Sequence, residues 1–203
     1  MSEIPDTWPP PLSSSPLPMF PLSGVFLYPG QPLPLHIFEP RYRKMIEDSL
    51  DGPGRIVLST IQVGEEETPD HVPAVLPVGG LGEIARHDRM DDGRFLIVLF
   101  GIGRVELDEV ESDEPYRKAQ VAQVAQISPE PEVAKRLDGR LRDALRERMG
   151  ADLELPEEVP IEALIDLLFT RLKPVPGVME RIFTERDVAR RGELVLASHA
   201  ESA

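Results

Sequence analysis

The four histidines are the side chains of this sequence that most readily bind a metal or transfer a proton near neutral pH. They are His36, His71, His87 and His199, and no two of them form the H-x-x-x-H or H-E-x-x-H patterns of zinc sites. His87 is followed by Asp88, but adjacent residues of a strand point to opposite faces. We therefore expect surface histidines, with neither a metal site nor a bound cofactor.

The sequence also lacks the short motifs with which enzymes hold a nucleophile or a nucleotide. The absence of cysteine excludes disulfides, thiolate zinc sites and a cysteine nucleophile. Neither the G-x-S-x-G elbow nor the G-x-x-x-x-G-K-[ST] phosphate loop occurs. We therefore predict that the chain is not an enzyme and works without ATP. An unrecognised hydrolase is an alternative for which no nucleophile and base can be named.

Two groups of glycines lie in segments of strand-like composition. Gly101 and Gly103 begin like a dinucleotide-binding fingerprint, but its third glycine is missing and strand-like residues follow where a helix is required. We predict a bulged hairpin there. Gly79, Gly80 and Gly82 lie in a second extended segment. Glycine in such a segment marks a bulge or the close approach of another backbone.

Acidic residues outnumber basic ones, and the formal net charge is −14. Six acidic residues occupy the nine positions from Glu106 to Glu114 without the pattern of a calcium-binding loop, so we interpret them as a solvated strand edge and loop. The acidic balance argues against nucleic acid, because a phosphate backbone is bound by Lys and Arg that displace counterions. One predicted helix collects basic residues, but interleaved acidic residues favour pairing along an exposed face. Its basic residues are Lys135, Arg136, Arg140, Arg142, Arg146 and Arg148.

Residues 1–16 are rich in proline and serine and are predicted to be a disordered lead. Trp8, the only tryptophan, either packs on the domain surface or belongs to a short docking motif. No segment approaches the roughly 18 apolar residues that cross a bilayer. The N-terminus also lacks the basic and apolar regions of a secretory signal. We expect a cytoplasmic protein without a membrane partner.

Residues 17–127 are predicted to be β-rich. Apolar runs of strand length are separated by Pro, Gly and Asp turns, and Pro40 stands where a helix can begin. Asp91-Asp92-Gly93 separates two apolar runs and predicts a hairpin with a type I′ turn. The predicted strands cover about 17–22, 33–38, 55–61, 75–86, 94–100, 104–110 and 116–127.

Beyond a boundary at Ser128–Pro131 the apolar period changes from two residues to about 3.6, which predicts a helical subdomain over residues 128–203. Helices are predicted over 132–149, from Pro160 to Leu172, and over 178–197 with a break near Thr184. Their apolar stripes need a partner, so we expect the helices to pack on each other and on the sheet.

The most specific pattern is the proline-rich apolar stretch that ends at Tyr42. From Pro21 it reads P-L-x-x-V-x-x-x-P-G-x-x-L-P-L-x-I-F-E-P-R-Y, and it is followed by V-G-x-L-G-x-I-A from Val78 and by G-x-G-R-V from Gly101. In this order the motifs resemble the N-terminal substrate-binding domain of the ATP-dependent Lon protease family. The resemblance covers residues 17–195 and is strongest in the β-rich part.

The resemblance implies an α+β fold, in which a PUA-like β pseudobarrel of residues 17–127 precedes a helical bundle. It implies a non-catalytic module that recognises unfolded or exposed polypeptide, in a stand-alone form, because the chain ends before the ATPase and the Ser-Lys peptidase of Lon could begin. A role as an adaptor in protein quality control or regulated proteolysis, with a protease or chaperone as partner, follows from this expectation. The PUA-like fold leaves nucleic-acid binding as the alternative function.

The same stretch suggests a binding site. An apolar surface stiffened by proline and flanked by aromatic side chains holds extended peptide with little ordering cost. We predict that Tyr28, Phe38, Arg41 and Tyr42 border such a groove. The alternative is that Phe38 and Tyr42 belong to the core and that Arg41 pairs with a local carboxylate.

Overall fold

The computed structural model describes residue 12, residues 15–66, residue 68, residues 71–172 and residues 174–202. Most of the predicted disordered lead, including Trp8, lies outside these residues. The chain divides into two compact units, of which the first ends at Val124 and the second begins at Ala125. No helix in the described ranges combines the length and apolarity needed to cross a membrane.

The described residues of the first unit form six strands and one helix, and the helix begins at Pro40, where proline fits the first turn. Their bounds are β1 Leu17–Ser23, β2 Pro32–Ile37, α1 Pro40–Leu50, β3 Arg55–Ile61, β4 Val78–Arg89, β5 Phe95–Val110 and β6 Lys118–Gln123.

β5 is the longest strand, and it joins the sheet into a ring. It pairs with β4 on one side, and β3, β1 and β6 follow in that order, with β1 and β3 parallel. On its other side the first half of β5 pairs with β2 and the second half pairs with β6. Because β6 pairs with both β1 and β5, the ring closes. β2 lies outside the ring, and no strand of the described residues pairs with its outer edge, which we call the free edge. The predicted β pseudobarrel is confirmed.

The connection from β1 to β2 passes so close to β4 and β5 that only glycine fits beneath it. Leu27 and Tyr28 are buried in this connection. A Cβ atom on Gly80 would lie 2.4 Å from the Leu27 carbonyl oxygen, and one on Gly101 would lie 2.0 Å from the Tyr28 carbonyl oxygen. Both distances are far shorter than van der Waals contact. The predicted close approach of another backbone is confirmed at Gly80.

The Gly101–Gly103 segment lies inside β5 and does not form a hairpin. β5 continues through it to Val110, and the register against β4 shifts where Leu81 pairs with Gly103 and Gly82 pairs with Gly101. The predicted bulge is therefore confirmed, and the predicted hairpin at this position is wrong. The chain does not turn back here because β6 offers the second half of β5 a pairing partner.

The hairpin between β4 and β5 is confirmed, but its turn is a three-residue loop. The Met90 N–H donates to the Arg94 carbonyl over 2.8 Å, and the Gly93 N–H donates to the Met90 carbonyl over 2.9 Å. Gly93 has a φ of 81°, and no described residue other than glycine has a positive φ. A type I′ turn needs positive φ at both central residues. The predicted turn type is wrong because Asp91 and Asp92 keep ordinary backbone angles.

α1 begins at Pro40, as predicted, and places one face against the sheet. Tyr42, Met45 and Ile46 are buried on this face. Tyr42 meets Phe20 of β1 edge to face, with ring centroids 4.6 Å apart. The inner faces of β2, β3 and β5 complete this part of the core.

A polar network ties α1 to the segment before β6. The Tyr116 hydroxyl donates to Asp48 Oδ2 over 2.8 Å, and the Lys44 ammonium contacts Asp48 Oδ1. The hydrogen bond from Lys44, assisted by that from Tyr116, holds the pKa of the Asp48 carboxyl below its usual range. Burial and the Asp48 carboxylate raise the pKa of Tyr116.

The second unit is helical. Its helices are α2 Pro131–Met149, α3 Ile161–Phe169, α4 Pro176–Thr184 and α5 Val188–Glu201, so the predicted break near Thr184 is confirmed. α2, α3 and α5 pack on one another. Arg191 of α5 is only 1% exposed, and its guanidinium lies 3.2 Å from the Asp166 carboxylate of α3. Together the two units have the predicted α+β class, with the helical part C-terminal.

The close approach at Gly101 generates a stability prediction with a control in the same motif. Gly101→Ala places a methyl group inside the Tyr28 carbonyl, so we expect it to lower the free energy of unfolding by about 3 kcal/mol or more. Gly103→Ala meets no atom within 4 Å and is expected to change it by less than about 1 kcal/mol. Urea unfolding of both variants tests this. Equal stabilities of the two variants would contradict the backbone approach.

The Asp48 network generates a pH prediction. Because the folded-state pKa of Asp48 is depressed, its contribution to stability is complete above the unfolded pKa of about 3.9 and is lost as the pH falls through the folded value. Tyr116→Phe removes one hydrogen bond to the carboxylate and should cost about 1.5–3 kcal/mol at neutral pH, with a smaller loss once Asp48 is protonated.

An NMR titration of the carboxyl groups measures this directly. In Tyr116→Phe the pKa of Asp48 should rise toward its usual value. Asp92, whose pKa is lowered by hydrogen bonds from Arg94, is the internal control and should not move. An unchanged Asp48 pKa would show that Tyr116 does not stabilise the carboxylate.

Candidate functional site

β2 turns three side chains away from the core because its residues alternate between the two faces of the sheet. Pro32, Pro34 and His36 are exposed, whereas the residues between them face inward. Phe38 follows the same alternation just beyond the strand and is 59% exposed. Its ring lies beside that of His36, with centroids 5.9 Å apart.

β5 continues this surface. Leu96 is opposite His36 and Val98 is opposite Pro34 in the antiparallel register. Leu96 is 47% exposed and Val98 is half-buried, whereas Phe95 and Ile97 on either side of Leu96 are buried. We name this surface the β2–β5 face, and it consists of Pro34, His36, Phe38, Leu96 and Val98.

Charged residues of β4 border the β2–β5 face on one side. Asp88 is opposite Leu96 and Arg86 is opposite Val98. The Arg86 Nε and the Asp88 Oδ2 are 3.5 Å apart, and both side chains are well exposed. A solvated pair of this kind contributes little to stability. It leaves the border charged but locally neutral.

The other side of the β2–β5 face is the free edge of β2. Proline has no N–H, so Pro32 and Pro34 fit only where their nitrogens point away from β5. The Gly101 N–H donates to the Gln31 carbonyl over 2.9 Å, so the backbone groups of residue 31 point toward β5. Those of residues 32, 34 and 36 therefore point away from it. Within β2, His36 is therefore the one residue whose N–H points to the free edge. An edge so poor in donors is unsuited to pairing with a further strand.

The four predicted site residues fall into two pairs. Tyr28 is 2% exposed and Tyr42 is 5% exposed, so neither ring presents a face to solvent. Phe38 and Arg41 reach the surface. The Arg41 guanidinium lies 4.5 Å from the centre of the Tyr42 ring and 2.9 Å from the Glu39 carboxylate. The binding role of the four residues stays a prediction, but of the two alternatives for Phe38, the core position is wrong.

Sequence reasoning missed Leu96. It lies in the apolar run of residues 95–100 at the start of β5, where every residue looks like core. Its signal is the alternation of β5, because Phe95 and Ile97 face inward and leave Leu96 outward. Only the pairing with β2 shows that it lies next to His36.

The β2–β5 face offers apolar contact and one imidazole. Within the described part of the chain, no three His, Asp or Glu side chains gather as metal ligands would. A surface of this composition can bind another apolar side chain by excluding water from it. Complete burial of a Phe or Leu side chain contributes about 1.5–3 kcal/mol.

The sequence as a whole matches the family of the ATP-dependent protease La (LON) substrate-binding domain over residues 16–197. The chain belongs to this Lon substrate-binding domain family. The match includes the β2–β5 face and the second unit as far as residue 197, and it leaves residues 1–15 and 198–203 outside.

Two Lon proteases are similar to this chain over part of their own length. A Lon protease of Flavobacterium johnsoniae is 32% identical over 114 residues, which are 56% of this chain and 14% of that protein. Lon protease 2 of Sorangium cellulosum is 26% identical over 200 residues, which are 93% of this chain and 25% of that protein. The chain thus spans a quarter or less of the length of these two proteases.

Solved structures support the same fold. The N-terminal domain of a Mycobacterium avium complex Lon protease superposes with a TM-score of 0.69 at 14% identity, covering 93% of this chain and all of that domain. A Lon N-terminal domain protein from Xanthomonas campestris gives a TM-score of 0.65 at 24% identity, covering 90% of this chain and 98% of that one. At these identities the likeness concerns the fold.

Proposed function

We propose that this chain is a cytoplasmic, non-catalytic module that binds unfolded or exposed polypeptide through the β2–β5 face. The observation that supports this proposal best is that Phe38 and Leu96 are both exposed on the same face, each next to His36. They form an apolar surface on a chain whose net charge is −14. Isolated exposed apolar residues are ordinary, but apolar side chains that cluster on one face mark interaction sites. The family name, a substrate-binding domain of a protease, agrees with a polypeptide ligand.

The β2 edge suggests how the polypeptide is held. With prolines at positions 32 and 34, the edge cannot supply the regular N–H groups that strand addition needs. Binding by the β2–β5 face therefore depends on the ligand's side chains and tolerates an irregular ligand backbone. Such a mode suits a module that accepts many different unfolded segments.

An adaptor role follows as part of the same proposal. The module holds an exposed segment and presents it to a protease or chaperone that supplies the ATP-driven step. Nucleic-acid binding has less support, since the β2–β5 face is apolar and its border, Arg86 with Asp88, is locally neutral.

The binding test removes the apolar side chains of the β2–β5 face. About half of each side chain is already buried, so Phe38 and Leu96 together should contribute about 1.5–3 kcal/mol to binding. We expect Phe38→Ser with Leu96→Ser to weaken the binding of fluorescein-labelled, reduced and carboxymethylated α-lactalbumin about tenfold or more. Val72→Ser, an exposed apolar residue elsewhere in the first unit, is the matched control and should change the Kd less than about twofold.

A second probe distinguishes side-chain binding from strand addition. An apolar peptide and its copy with alternate N-methylated amides should bind with similar Kd, because N-methylation removes backbone donors and keeps every side chain on which the proposed binding depends. A large loss of affinity for the methylated peptide would point to the β2 edge. Unchanged binding by the Phe38 and Leu96 double variant would refute the proposed face.

A further inference from the structure

A groove in the second unit joins exposed apolar side chains with a concentration of arginine. It lies where α4 ends and α5 begins. The segment before α2 enters here as well, because the Ile127 N–H donates to the Arg186 carbonyl and the Val188 N–H donates to the Ile127 carbonyl, both over 3.0 Å. Its lining includes Ile127, Leu194, Arg181, Arg186, Arg190 and Glu185. We name it the arginine groove.

The apolar part of the arginine groove is accessible. Ile127 is 60% exposed, although its backbone is held in place by the two hydrogen bonds to Arg186 and Val188. Leu194, one of the residues of α5 that line the groove, is half-buried. Because the Ile127 backbone is already fixed, little conformational entropy is lost when a partner buries its branched side chain.

The acidic residue of the arginine groove is already engaged. Glu185 Oε1 accepts the backbone N–H groups of Arg186 and Asp187 over 3.0 and 3.1 Å, and its Oε2 lies 3.2 Å from the Arg190 Nε. The lining of the groove therefore holds three arginines and one glutamate. The groove has a positive excess, although residues 125–203 hold only 12 Lys and Arg against 16 Asp and Glu.

We propose that the arginine groove binds an acidic polypeptide segment that carries one large apolar side chain. Guanidinium groups bind carboxylates through paired hydrogen bonds. An apolar centre with a polar rim is the usual arrangement of a protein–protein interface, and arginine is enriched in such interfaces. The charge complementarity between the groove and an acidic segment selects this partner over a basic or neutral one.

The groove fits a polypeptide better than a nucleic acid. Ile127 and Leu194 offer nothing to a phosphate backbone, and the Glu185 carboxylate would repel it. An extended polyanion would also meet the rest of a chain whose net charge is −14. A short acidic segment reaches only the local positive charge. This site is independent of the β2–β5 face, and either proposal can fail without the other.

The test uses the full chain and three labelled peptides in fluorescence anisotropy. The peptides are DDEFEDD, its amide analogue NNQFQNN, and DDEGEDD without the aromatic side chain. We expect DDEFEDD to bind most tightly, with an affinity that falls as salt is added. Arg181→Gln with Arg190→Gln should weaken its binding about tenfold or more.

The matched control is Arg140→Gln with Arg146→Gln, which removes two exposed arginines of α2 in the same unit. It should change the Kd for DDEFEDD less than about twofold. Circular dichroism establishes that both double variants are folded. Leu96→Ser with Phe38→Ser separates the two surfaces, since a loss of DDEFEDD binding in this variant equal to that in the Arg181 and Arg190 variant would place the peptide on the β2–β5 face and overturn the arginine groove.

Several results would overturn the proposal. Equal losses in the two arginine double variants would show unspecific attraction, and equal binding of DDEFEDD and NNQFQNN would exclude charge recognition. Tighter binding of a single-stranded RNA through the same arginines would assign the groove to nucleic acid. Self-association of the chain that Arg181→Gln with Arg190→Gln abolishes would assign it to a second copy.

Discussion

The first unit depends on one close approach between backbones. The β1–β2 connection passes directly against Gly80 of β4 and Gly101 of β5, where any side chain would overlap the Leu27 or Tyr28 carbonyl. This contact returns the chain to β5, so that β2 can pair with the first half of that strand. Without it the residues of the β2–β5 face would not meet, because they come from strands that are far apart in sequence.

The length of β5 explains how one sheet can be both closed and accessible. Its second half completes the ring with β6, and its first half leaves β2 at the free edge. Closure removes sheet edges that would otherwise pair with other chains. At the remaining edge, Pro32 and Pro34 prevent pairing with another strand because they have no N–H to donate. The outward side chains of β2 are therefore the part of this edge that is available for binding.

Much of the fold was predictable because it rests on local patterns. The helix at Pro40 and the hairpin at Asp91-Asp92-Gly93 follow from residues that restrict their own backbone. The helix break near Thr184 is followed by Asp187, whose side chain caps α5 by accepting the Arg190 N–H. The predictions were wrong where the same local sequence signal is compatible with two different structures. Gly101 marks both a turn and a close approach, and an Asp-Gly pair suits both a two-residue and a three-residue loop.

The sequence by itself determined the family, the α+β class and the change from strands to helices along the chain, because several separated motifs and the change of apolar period are visible in it. Only the tertiary structure decided which aromatic residues of the opening stretch reach solvent. Tyr28 and Tyr42 are buried, whereas Phe38 is exposed and its ring lies beside that of His36, the residue that pairs with Leu96. An apolar stretch does not reveal its outer face, since burial depends on which strands and helices pack against it.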